Sequence, residues 1–273
     1  MKNLKIGVLG CGNWGSNIIR NLFELNVLDK VYDINQVLVD KLPIPNSKKC
    51  SKVEDILNDT DMDAVVISTP PNTHKDLAIE AIKKKKHVFI EKPFCMSIKE
   101  AKKIVETATQ NRKIIFVGHL LNYHNGFIDL KDRVARNQIG DITYIKANRM
   151  HFGAIRKFES VIYDLAAHDI SMILGITKCL PKKISVNAMF KKSNDIADSI
   201  NAILLFENDI TAVINVDWMS PYKEHRFSVL GSNGSLIFDD TKDWKEKLCL
   251  NESKIDNELR IINGKSTYID LKE

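Results

Sequence analysis

Three short stretches of this 273-residue chain combine residue types that do chemistry. The first is Gly10-Cys11-Gly12-Asn13-Trp14-Gly15, a GxGxxG run. In such a run the first glycine permits a tight turn, the second lets backbone come close to a pyrophosphate, and the third lets a helix pack tightly on a strand. A helix opening at Asn13 adds free amides and the positive end of its dipole, so the loop reads as a phosphate cradle. Asp33, further on at the end of the next apolar run, suits a ribose 2′-hydroxyl and repels a 2′-phosphate. No arginine adjoins it, which favours NAD over NADP; the plainer alternative is a surface aspartate. Trp14 is either a cover over the pyrophosphate or a helix-packing residue.

The second stretch is Glu91-Lys92-Pro93 and the third Asp164-Leu165-Ala166-Ala167-His168. A lysine ammonium can stabilise a developing alkoxide. A histidine titrates near neutral pH and can take or return a proton. Asp164 and His168 stand at i and i+4, on one face of a helix, where the carboxylate can orient the imidazole. Taken singly, Glu-Lys-Pro is usually a surface turn and a lone helical histidine usually packs.

Elements must hold these groups in place. Apolar runs at 4–9, 28–32, 64–67, 87–90 and 114–117 read as short buried strands. Helical spacing fills 13–25, 53–57, 73–85 and a stretch from the capping-box pattern Ser97-Ile98-Lys99-Glu100 to about residue 110. This alternation predicts βαβ crossovers and a doubly wound parallel sheet, an α/β Rossmann domain over residues 1–119. Lys92 then follows a strand's carboxyl end, which faces the crevice of such a sheet. After residue 119 the character changes. Helices are expected at 125–137 and 164–176. Longer strands of period two are expected at 142–151, 184–190, 200–206, 210–218 and 226–230, with polar turns at 207–209 and 231–234. Residues 120–273 therefore read as an α+β domain with a largely antiparallel open sheet, its tail beyond residue 240 unassigned.

The glycine loop, Ser68-Thr69-Pro70-Pro71-Asn72-Thr73-His74, Glu91-Lys92-Pro93 and the Asp164, His168 pair occur in this order. Together they resemble the Gfo/Idh/MocA oxidoreductase family over most of the chain to about residue 240. The resemblance implies a Rossmann domain, a second domain used for substrate binding and oligomerisation, and a catalytic triad at Lys92, Asp164 and His168. It also implies that Ser68, Thr69, Pro70, Asn72, His74 and Glu91 border the cofactor. The segments at 118–124 and 163–170 resemble members that act on nucleotide-linked sugars, such as a UDP-N-acetylhexosamine or its uronate. Asn122 and Ala167 stand where those members commonly have arginine and proline. His119, Tyr123 and His124 either line the pocket or satisfy a helix start. Arg149 and Arg156 either hold an anionic group or form surface pairs.

Composition narrows the function classes. Apolar residues are 44% and charged residues 27% of the chain, the balance of a globular protein. No apolar run reaches membrane-spanning length, and the N-terminus carries no signal-peptide pattern, so a cytoplasmic protein is expected. The five cysteines include no CxxC pair, which fits reduced thiols rather than disulfides or a metal site. The net charge of +5 is scattered apart from Lys83-Lys84-Lys85-Lys86, which gives no nucleic-acid-binding element. The expected activity is hydride transfer between a nicotinamide and a sugar hydroxyl or ketone, in a homodimer or homotetramer. The alternatives are a cyclitol, other carbonyl or imine reductase, and a non-catalytic NAD-binding regulator.

Overall fold

A computed structural model describes residues 4–153, 155–156, 159–191, 195–256, 258 and 260–271. The chain divides into two compact units, Met1–Gly118 and His119–Glu273.

In the first unit, five strands form a parallel sheet: β1 (Ile6–Leu9), β2 (Leu28–Tyr32), β3 (Ala64–Ile67), β4 (His87–Ile90) and β5 (Ile115–Val117). The helices are α1 (Asn13–Glu24), α2 (Gln36–Asp40), α3 (Glu54–Leu57), α4 (His74–Lys83) and α5 (Ile98–Asn111). Strand side chains alternate between two cores. Val8 and Val66 pack with Ile19 and Val31 on one face, and Leu9, Val65 and Ile67 pack with Ala78, Ile82 and Ile104 on the other. Burial on both faces explains the unbroken apolar runs. The order β2-β1-β3-β4-β5 reverses direction between β1 and β3, which opens a crevice beyond their carboxyl ends. The expected capping box forms with one change. Ser97 Oγ accepts from Glu100 N at 3.2 Å, but Glu100 accepts from Met96 N at 3.1 Å, one residue outside the cap. The five-residue α2 is too short to show a helical period and was not expected.

The second unit holds a 3₁₀ turn (Leu120–Tyr123), α6 (Asn125–Ala135), β6 (Ile142–Phe152), a π turn (Ile162–Ala166) and α7 (Ala167–Thr177). There follow β7 (Lys183–Met189), β8 (Ser199–Leu205), β9 (Thr211–Asp217), β10 (Met219–Gly231), β11 (Gly234–Asp239) and β12 (Leu248–Asn251). A small pair, β13 (Lys254–Ile255) and β14 (Ile261–Ile262), precedes β15 (Ser266–Tyr268). The large sheet runs β15-β12-β11-β10-β6-β9-β8-β7. It is antiparallel except where β6 and β9 lie parallel at its centre. One face buries Ile145, Ala147, Ala212, Ile214, Phe227 and Val229 with Phe127, Leu130, Met172 and Ile173 of α6 and α7. The other face carries a row of asparagines in register across β6, β9 and β8: Asn148, Asn215 and Asn201, each joined to the next by a side-chain hydrogen bond.

Two expectations need correction. The expected helix at 164–176 is not α-helical throughout. Asp164 lies in the wider π turn and His168 in α7, so the pair does not share one α-helical register. The strand expected at 226–230 begins at Met219, and its hairpin partner β11 was missed.

Candidate active site

In the first unit the glycine loop joins β1 to α1. Gly10 has φ +98°, and a Cβ there would stand 2.7 Å from the Ser68 backbone. A Cβ on Gly15 would collide with the Gly10 carbonyl oxygen. Ser68 Oγ donates to Gly10 O at 2.8 Å and ties the loop after β3 to the glycine loop. Gly12 differs: a Cβ there would meet nothing within 4 Å. It sits at the N-cap of α1 with no side chain capping the helix and no acid in the first turn. Uncapped amides beside an open backbone face fit a pyrophosphate.

This loop edges a cavity of about 820 Å³. Its lining includes Gly10, Gly12, Asp33, Ser68, Thr69, Pro70 and Asn72 from the expected set. Tyr32, Ile34, Val53, Thr73, Asp76 and Leu77 also line it. These additional walls are ordinary strand-end and helix residues whose types announce no ligand. Asp33 Oδ2 accepts from Cys11 N at 2.7 Å and Oδ1 from Asn35 N at 2.8 Å. Each carboxylate oxygen keeps a second lone pair for a ribose hydroxyl. Burial, then the charge of Asp33, pushes the Cys11 thiol up to about 12, so it stays protonated in the loop. The residues present therefore fit a dinucleotide.

Asn13, Trp14, Gly15, His74, Glu91 and Lys92 are not in that lining. Trp14 Nε1 donates to Glu91 Oε1 at 2.7 Å, and Lys92 N donates to Glu91 Oε2 at 3.2 Å. The buried Glu91 thus links the start of α1 to the Lys92 turn rather than standing in the cavity wall. Burial pushes its carboxyl up, opposed by those two bonds. Lys92 lies two residues past the end of β4, is half-buried, and precedes Pro93 through a cis peptide bond. His74, expected at the cofactor border, is fully buried at the start of α4. Its Nε2 lies 2.8 Å from Thr69 O and its Nδ1 3.0 Å from Pro93 O.

In the second unit Asp164 is buried. Arg156 donates to it through Nε at 3.2 Å and Nη2 at 3.4 Å, and Trp218 Nε1 donates at 3.1 Å. Trp218 is a partner of Asp164 that the sequence did not reveal, because it reaches the carboxylate from the bend between β9 and β10, 54 positions away. His168 is half-buried, and its backbone carbonyl accepts from Ser171 Oγ at 2.7 Å. Asn122 Nδ2 donates to that Ser171 Oγ at 3.1 Å.

Arg149 is a correction. Its Nε and Nη2 each donate to buried Asp169 at 3.0 Å, a two-pronged pair inside the unit rather than an anion holder. Arg156 is half-exposed, but besides Asp164 it faces Glu159 at 3.7 Å. His124 takes the second of its two expected roles, satisfying a helix start. Its Nδ1 caps α6 by accepting from Gly126 N at 3.0 Å, while its ring packs on Phe238 and Trp244. His119 heads the 3₁₀ turn and Tyr123 is 60% exposed at its end. Two unexpected histidines, His151 and His225, meet edge to face with ring nitrogens 3.4 Å apart. Burial first, then Arg149, Lys223 and His151, lowers His225 to about 4, so it is neutral near pH 7. Among the described residues no group of three or more His, Cys, Asp or Glu is placed to hold a metal ion.

A glycine-loop cradle at the switch point of a parallel sheet, followed by a unit built on a broad mixed sheet, defines a Rossmann-type two-unit oxidoreductase. The family model "Oxidoreductase family, NAD-binding Rossmann fold" matches residues 4–119, and "GFO/IDH/MocA C-terminal domain" matches residues 127–237. The chain belongs to the Gfo/Idh/MocA family of oxidoreductases. Inositol 2-dehydrogenase of Salmonella paratyphi B is 24% identical over 223 residues, 78% of this chain and 66% of its own length. The scyllo-inositol 2-dehydrogenase (NADP(+)) of Bacillus subtilis is 25% identical over 248 residues, 86% of this chain and 68% of its own. The chain thus spans about two thirds of the length of these relatives. UDP-N-acetylglucosamine 3-dehydrogenase of Acidithiobacillus ferrooxidans shares the fold with TM-score 0.82 at 22% identity, covering 100% of this chain and 84% of that one.

Proposed function

We propose that the chain is an NAD-dependent dehydrogenase or ketoreductase acting on a hydroxyl of a polyhydroxylated ring, a free sugar or a cyclitol. The observation that carries this is the open face of Gly12 beside the uncapped start of α1, with Asp33 in the same cavity wall. Asp33 supports NAD over NADP because its charge repels a 2′-phosphate. The ring is uncharged because the arginines suited to a diphosphate are engaged: Arg149 with Asp169, Arg156 with Asp164 and Glu159. The two inositol dehydrogenase relatives point the same way. A nucleotide-linked sugar is the reading this displaces.

The glycine loop, the start of α1 and Asp33 would hold the dinucleotide, and its nicotinamide would supply the hydride acceptor or donor. His168 takes the hydroxyl proton as general base and gives it back in the reverse direction. Asp164, fixed by Arg156 and Trp218, stands in the turn before His168. Lys92 stabilises the developing alkoxide. Two or four copies associate through the helix-free face of the large sheet, where Ile203 is 45% and Leu230 38% exposed on the same side as the asparagine row.

The test is a panel of inositols, free hexoses and UDP-sugars with NAD and NADP, run on the native chain, Lys92→Ala and His168→Ala. Turnover on a cyclitol or hexose with NAD, reduced at least a hundredfold in both variants, is expected if each supplies ~3 kcal/mol. Unchanged turnover in the variants, or activity confined to UDP-sugars, overturns it.

A further inference from the structure

Trp14 stands in water yet is fixed like a core residue. It is the second residue of α1, 46% exposed, and its Nε1 donates to Glu91 Oε1 at 2.7 Å. A large aromatic left in water forgoes the gain of burial, and a carboxylate is costly to bury. Both costs meet in this one contact, where buried Glu91 anchors an exposed indole. Gly118 leaves room for the carboxylate, since a Cβ there would stand 2.8 Å from Glu91 Oε1. The packing of α1 does not call for the arrangement, because the buried residues of that helix are Gly15 and Ile19.

The sheet order gives the anchored ring a direction. The helix α1 leaves β1, Asp33 follows β2 on one side of it, and Glu91 follows β4 on the other, beyond β3. Asp33 and Gly12 share a cavity that Trp14 does not line. A dinucleotide with one ribose on Asp33 and its pyrophosphate at Gly12 still has its nicotinamide half to place. The indole edges the opposite side of the α1 start, toward the Lys92 turn.

We propose that Trp14, held by Glu91, is a platform for the nicotinamide ring and favours its oxidised form. This rests on the dinucleotide reading above. The oxidised ring carries a positive charge and the reduced ring does not. Among aromatic side chains the indole face attracts a cation most strongly. A hydrogen bond from the indole to a carboxylate polarises it further, and the carboxylate adds its own negative charge. Because the ring is already anchored, little ordering is left for the cofactor to impose.

The test is calorimetric titration with NAD, NADH and ADP-ribose, which keeps the pyrophosphate and both ribose rings but lacks the nicotinamide. Trp14→Leu is expected to weaken NAD about tenfold and NADH about threefold, with ADP-ribose held within about twofold. Trp14→Phe keeps a ring but not the anchor, so its loss of NAD affinity falls between native and Trp14→Leu. Glu91→Gln removes the charge and lowers the ratio of NAD to NADH affinity about threefold. Retained ADP-ribose affinity shows that each variant is folded. Equal loss of all three ligands in Trp14→Leu overturns the proposal, since the indole would then cover the pyrophosphate. So does no loss of any, or a ratio of NAD to NADH affinity that neither Trp14→Leu nor Glu91→Gln moves. The native chain gives a readout free of folding. Bound NAD should show a weak charge-transfer absorbance to the red of the indole band, and ADP-ribose should not; without that band the proposal falls. A native chain that binds none of the three ligands overturns the dinucleotide reading itself.

Discussion

Single residues show how pairing decides a side chain's role. Arg149 was legible as a cation but not as one half of a buried pair, because its partner lies on α7 and no local pattern links the two. Removing one partner leaves a buried charge unpaired, so Arg149→Met is expected to cost about 3–5 kcal/mol in urea unfolding. Arg149→Met with Asp169→Leu recovers a large part of that loss, since two apolar groups replace the pair. His225 predicts a pH dependence. Its folded pKa is about 4 against an ordinary 6.5, so the unfolded chain takes up a proton that the folded chain resists. Its contribution is complete above about pH 6.5 and is lost as pH falls toward 4. Melting midpoints across that window should fall more steeply for the native chain than for His225→Asn. An identical slope in the two proteins would contradict the assignment.

Elements divide by whether their determinants are local. The parallel sheet was legible because strands buried on both faces leave continuous apolar runs, and the glycine loop because turn, cradle and helix start each need a particular residue at a fixed offset. The five residues of α2 and the short strands β12 and β15 were not, since neither a helical period nor a two-residue alternation develops over so few positions. The π turn was hidden too, because its widening comes from packing rather than from residue type. The glycine loop yields a paired prediction. Gly12→Ala has room for its methyl, so the melting midpoint holds while NADH affinity falls at least tenfold as the methyl enters the phosphate space. Gly15→Ala drives a Cβ into the Gly10 carbonyl, so stability and NADH binding fall together. Equal melting midpoints for the two variants would refute this division of roles.

At the scale of the whole molecule, the helix-free face of the large sheet sets the expected assembly. Light scattering should give twice or four times the 31.0 kDa chain mass. Ile203→Lys with Leu230→Lys should shift it toward one copy, and a native chain that scatters as a single copy would remove this expectation. The parallel pairing of β6 with β9 has a different consequence, in the order of folding. Strand direction leaves no trace in a two-residue alternation, so the sequence announced the strands but not this pairing. Between the two partners the chain must first lay down α7, β7 and β8, and β10 closes the other side of β6 only when residues up to Gly231 exist. Every strand of the first unit, by contrast, precedes Gly118. During synthesis the dinucleotide cradle can therefore be complete while β6 still waits with both edges bare, and that interval, long in sequence separation and slow to close, is when the nascent chain is most exposed to pairing with the wrong strand.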